Sequence, residues 1–122
     1  MKQHKILEDV FNIPRKELLD NQRKWTREDK KNGFSVCETW SLDYAFVCWL
    51  LERCHLYIEK GGQIVDLDFN RFNYKDKEYT QRELIDLLIE KCQEYINNDD
   101  ITIDVWEEIN DIWKLIGLAM WW

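Results

Sequence analysis

Apolar positions fall at helical spacing along three long stretches of the chain. From Leu42 to Leu51 almost every side chain is apolar. This predicts that residues 44–51 are enclosed on every side, with Trp49 in the core. Beyond it Glu52, Arg53, His55, Glu59 and Lys60 gather on one face, and Gly61-Gly62 ends the helix near residue 60. A second stretch, 81 to about 97, repeats Leu84, Leu87, Leu88, Cys92 and Tyr95, widened by Ile85, Ile89 and Ile96. The third carries Trp106, Ile109, Trp113, Ile116 and Met120, with Val105 and Ile112 alongside, and Gly117 within it predicts close helix approach. The pattern predicts an all-α fold: a compact helical bundle of three main helices, about 42–60, 81–97 and 103–120, with the first at its centre.

Local signals set the ends. Thr80-Gln-Arg-Glu83 and Ser35-Val-Cys-Glu38 both read as capping boxes, and Ser41 is an N-cap for the long helix. Asp43 then falls in the first helical turn, where a carboxylate meets unpaired N–H groups and the positive end of the dipole. It reads as a cap, not a catalytic acid. Ile6, Leu7, Val10 and Phe11 form a short amphipathic segment before Pro14. Arg15 to Lys31 has a thin stripe of Leu18, Leu19, Gln22 and Trp25, which fits either a peripheral helix or a partly ordered arm, broken at Asn32-Gly33. The expected organisation is a single domain over 1–122, with 1–32 a peripheral helical arm and 33–122 the core. Between 63 and 79, Val65, Leu67 and Phe69 alternate with Asp66, Asp68 and Asn70; a short strand and an ordered loop both fit.

Charge adds a second dimension. The net charge is −7, which argues against direct nucleic-acid binding or an anionic membrane surface. Residues 61–122 carry 6 basic and 14 acidic groups, whereas Arg15 to Lys31 carries seven basic and four acidic ones. Asp99, Asp100, Asp104, Glu107, Glu108 and Asp111 form a run with no basic residue among them. Such a run is usually a solvated helix face; as a working surface it would imitate phosphate spacing. The opening residues lack the apolar core of a signal peptide, no stretch has membrane-span length, and Cys37, Cys48, Cys54 and Cys92 read as buried free thiols. A cytoplasmic location is expected.

Candidate chemistry is sparse. His4 and His55 are the only histidines, and adjacent Cys54 and His55 point about 100° apart on a helix. No metal-ligand spacing or phosphate loop occurs, so no catalytic residue, metal or cofactor is expected. Seven tryptophans are many for 122 residues. Adjacent helical positions cannot both face one core, so one of Trp121 and Trp122 is covered by the N-terminal segment or offered to a partner. A nucleotide pocket would need Trp40, Tyr44, Arg53, Arg71 and Arg82 brought together.

Gly33-Phe-Ser35, Trp40-Ser-Leu-Asp-Tyr44, Arg53 and Tyr57, with Ala119-Met-Trp-Trp122 at the far end, resemble a family of small bacteriophage and prophage proteins of unassigned function. The resemblance covers about 33–122. It departs at Glu52 and Cys54, where the pattern has proline and leucine, and a Gly-Tyr-Pro segment is missing. It implies phage origin, a compact α-fold and the cytoplasm of an infected bacterial host, and carries no activity. The expected function is a non-enzymatic interaction protein with a host or phage protein as partner, inhibiting a bacterial defence factor. Asp104, Glu107, Glu108, Asp111, Trp121 and Trp122 would bind that partner. A binder that sequesters a nucleotide signal and an accessory virion-assembly protein are the alternatives.

Overall fold

The computed structural model describes residues 15–98 and 103–122. The expectations for Ile6 to Pro14 and for Asp99 and Asp100 lie outside the described residues, as do the side chains of Leu18 and Leu19. The described chain is mostly helical. Helix α1 spans Arg15–Asn32, α2 Leu42–Lys60, α3 Gln81–Asn97 and α4 Ile103–Ile116, and two strands, β1 (Arg71–Tyr74) and β2 (Lys77–Thr80), form an antiparallel hairpin. Among the described residues no helix is long and apolar enough to cross a membrane. The chain groups into two units, divided inside α2 after Cys48.

In the first unit α1 ends where the sequence places the break. Gly33 takes φ +83° and its N–H returns to the Asp29 carbonyl at 2.8 Å, the conformation in which glycine has no Cβ penalty. The chain then makes a single turn of 3₁₀-helix, Val36–Thr39, with Ser35 as its N-cap. Glu38 accepts the Ser35 N–H at 2.7 Å. The buried Ser35 hydroxyl lies 2.9 Å from both the Trp25 carbonyl and Asp29 Oδ1, which ties the turn to α1. Buried Trp25 meets the Trp40 ring edge-on at 6.1 Å.

Helix α2 opens as expected, with Asp43 in its first turn and the Ser41 hydroxyl donating to Asp43 Oδ1 at 2.6 Å. The Ala45 N–H bonds the Ser41 carbonyl at 3.0 Å, which puts Ser41 at the cap position. The expected enclosure of residues 44–51 is corrected. Val47, Cys48 and Leu50 are buried, but Trp49 is 39% exposed, with the Arg53 guanidinium 4.5 Å above its ring. An all-apolar run permits burial all round without requiring it, and a cation one turn along shields an indole face instead.

In the second unit α3 and α4 pack on each other. Leu84, Ile85, Leu88, Cys92 and Tyr95 of α3 meet the face of α4 that buries Ile109, Ile112 and Ile116. Trp106 and Trp113 are only half-buried, and Trp106 stacks obliquely on Tyr95 at 5.7 Å. The predicted 103–120 helix stops early. The α-helix ends at Ile116, a 3₁₀ turn covers Gly117–Ala119, and Met120 to Trp122 are irregular. Gly117 lies in the 3₁₀ turn beyond the helix, and the atoms nearest its missing Cβ belong to Trp113 of α4, at ordinary contact distance.

The 63–79 region resolves into both readings at once, shifted along the chain. Val65 to Asn70 is an irregular loop, and the strands begin at Arg71. Phe72, Tyr74 and Tyr79 share one face of the hairpin, with Tyr74 buried and its ring 6.2 Å from Tyr79. Lys75 and Asp76 form the turn, both with positive φ (50° and 61°), the requirement of a type I′ connection. The helical prediction omitted this sheet.

Candidate aromatic cleft

The start of α3 organises the neighbouring loop. A helix begins with N–H groups that lack partners. Here Gln81 N–H bonds the Asn70 carbonyl at 3.1 Å, Arg82 N–H bonds Leu67 at 3.0 Å, and Glu83 N–H bonds Thr80 Oγ1 at 3.2 Å. Glu83 accepts the Thr80 N–H in return at 2.9 Å, completing the predicted capping box. These bonds hold the Glu83 carboxyl below its usual range. The loop is further fixed by Asp66, whose Oδ1 accepts the Asp68 N–H at 3.0 Å, and by Leu67, which is fully buried.

Gln81 also anchors the segment that follows α4. Its side chain is buried; Nε2 donates to the Ala119 carbonyl at 3.1 Å, while Oε1 accepts from Asn70 at 3.4 Å. The Tyr57 hydroxyl donates to the Trp121 carbonyl at 3.1 Å, and burial raises its pKa. Trp122 lies over Gly61, where a Cβ would come within 2.5 Å of the indole Cδ1. Residues 119–122 are thus fastened at Gln81, Tyr57 and Gly61.

Between this segment and the loop lies a cleft of about 250 Å³, lined by Val65, Asp66, Phe69, Asn70, Gln81, Ala119 and Trp121. Phe69 is 78% and Trp121 70% exposed, so large rings are presented to solvent from a backbone held by hydrogen bonds. Sequence reasoning singled out Trp121 and Trp122 but missed Phe69, Asp66 and Gln81. A phenylalanine in a polar loop can pin that loop or present its ring, and no local signal tells the two apart.

The other candidate residues are dispersed. Asp104, Glu107 and Asp111 are exposed on α4. Glu108 is not open to a partner in the same way: its carboxylate pairs with Lys91 at 2.9 Å and Lys75 at 3.0 Å, and these bonds lower its pKa. Arg53 sits over Trp49 and donates to its carbonyl at 3.2 Å, Arg82 pairs with Asp68 at 3.4 Å, and Arg71 is exposed on β1. None of these three arginines lines the cleft. Trp40 is exposed and Tyr44 half-buried in the first unit.

All four cysteines are buried and none forms a disulfide; burial first, then nearby carboxylates, pushes Cys37 up to about 11, and burial alone pushes Cys54 up to about 12. Among the described residues no group of three or more His, Cys, Asp and Glu is placed to hold a metal ion. No family model, curated protein or solved structure matches the chain.

Proposed function

We propose that the protein is a non-enzymatic interaction module that engages a partner protein through the aromatic cleft. The observation that carries this reading is the presentation of Phe69 and Trp121 on the two sides of one cleft, on segments that buried Gln81 holds through the neighbouring Asn70 and Ala119 carbonyls. Aromatic side chains around a pocket are effective anchors, and fixing them beforehand lowers the entropy cost of association. The raised pKa values of Cys37 and Cys54 disfavour these two thiols as nucleophiles. The acidic face of Asp104, Glu107 and Asp111 would steer a basic partner on approach. The resemblance at Trp40-Ser-Leu-Asp-Tyr44 and Ala119-Met-Trp-Trp122 is what favours a phage-encoded protein acting on a host defence factor in the bacterial cytoplasm.

The test is affinity capture from bacterial lysate with the wild-type chain and with a Phe69→Ala/Trp121→Ala variant. Both side chains are mostly exposed, so the variant should melt within about 1 kcal/mol of wild type. Loss of a specific captured protein at unchanged melting is the expected outcome. Equal capture by both chains would overturn the assignment of the cleft.

A further inference from the structure

We infer that the cleft receives a cationic side chain, arginine or lysine, from a basic segment of the partner protein. This rests on the interaction reading above and names the chemistry of its occupant. The two exposed rings, Phe69 and Trp121, both line the cavity, and the negative face of an aromatic ring attracts a cation within about 6 Å. Asp66 is the one charged residue of the same lining, and Val65 and Ala119 add apolar wall for the methylene stem of such a side chain. An uncharged anchor fits less well, because seating it would strip water from the Asp66 carboxylate without supplying a partner.

Neighbouring groups sharpen the choice. Asp68 is already paired with Arg82, and the Gln81 and Asn70 side-chain amides are bonded to each other, with Gln81 also holding Ala119. The amides therefore build the wall, and Asp66 supplies the charge. Size agrees: about 250 Å³ lies below the roughly 300–1,000 Å³ of sites that enclose a whole small ligand, which suits one side chain of a larger partner. The excess of acidic over basic groups in residues 61–122 draws a basic segment toward this unit and disfavours an anion.

Nuclear magnetic resonance titration of the full chain with capped tripeptides tests the inference. The probes are acetyl-Leu-X-Leu-amide with X arginine, lysine, norleucine or glutamate. Arginine and lysine should give saturable shifts at the Trp121 indole N–H and the Gln81 side-chain amide. Norleucine should bind at least tenfold more weakly, and glutamate should give no saturable shift. Asp66→Asn retains the oxygen that accepts the Asp68 N–H, so the loop keeps its turn while arginine binding falls at least tenfold. Equal binding of norleucine and arginine, or arginine binding unchanged in Asp66→Asn, overturns the cationic occupant. If either result comes with loss of partner capture in Phe69→Ala/Trp121→Ala, the interaction reading stands and only the occupant is wrong. Unchanged capture removes both.

Discussion

Gly61 carries no side chain, and the place its Cβ would take is held by the Trp122 ring. Gly61→Ala must therefore push the indole away, and because Trp122 lies beyond the last helical turn, it can leave at little cost to the core. The expected result is a destabilisation of about 1 kcal/mol, red-shifted tryptophan emission and easier acrylamide quenching. Unchanged emission would show that the ring does not rest there. Trp49 teaches a related lesson. Its position in an apolar run predicts a core residue, yet it lies under Arg53 at the surface, so Trp49→Ala should cost less than the roughly 3–5 kcal/mol of a buried aromatic. The thiols behave oppositely. With Cys37 at about 11 and Cys54 at about 12, almost no thiolate exists at pH 8. Iodoacetamide should leave both unmodified in the folded chain and alkylate both once it is unfolded. Rapid native labelling of Cys54 would mean that α2 opens locally.

At the scale of elements, the hairpin turn carries a cost that a single substitution can remove. Asp76 takes φ 61° without being glycine, and its side chain makes no part of the cleft. Asp76→Gly should raise stability by about 0.5–1 kcal/mol, measured by chemical denaturation. A loss would mean that Asp76 stabilises the turn through contacts of its own. The same turn explains why the sheet was hard to read. Lys-Asp lacks the glycine or asparagine that marks a two-residue hairpin, and strands of four residues carry little periodicity. The obvious alternation, Val65-Leu67-Phe69, falls in the loop beforehand. The capping box at Thr80-Glu83 was legible because its chemistry is local, and Thr80→Ala should cost about 0.5–2 kcal/mol. The apolar faces of α3 and α4 were legible for the same reason, since 3.6-residue spacing alone sets them. The end of α4 was not. Apolar residues continue through Met120, but Gly117 and the pull of Gln81, Tyr57 and Gly61 on the following residues win over propensity. The cleft depends on that early stop, so its Trp121 was visible in the sequence while its geometry was not.

At the scale of the whole molecule, charge does two different jobs that sequence merges into one run. Asp104, Glu107 and Asp111 face solvent, whereas Glu108 joins the hairpin turn through Lys75 and α3 through Lys91. Reversing the first three to lysine should leave the fold intact and weaken capture of a basic partner, an effect that shrinks with salt because exposed charges are screened beyond about 8 Å at physiological ionic strength. Reversing Glu108 should instead lower stability, since it would set a third cation between two lysines. Its pH dependence follows from the direction of the shift. Hydrogen bonds from Lys91 and then Lys75 lower the folded pKa of Glu108, so its contribution is complete above the unfolded carboxylate value of about 4.3. It is lost as pH falls from there through the lower folded value. The melting-temperature difference between wild type and Glu108→Gln should therefore be constant from pH 7 to about pH 5 and then close as acid is added. A difference that persists unchanged to pH 2 would assign the effect to packing of the side chain and not to its charge. Were Glu108→Gln to melt as wild type at pH 7, the two lysine bonds would contribute nothing, and Glu108 would rejoin Asp104, Glu107 and Asp111 as a residue available to a partner.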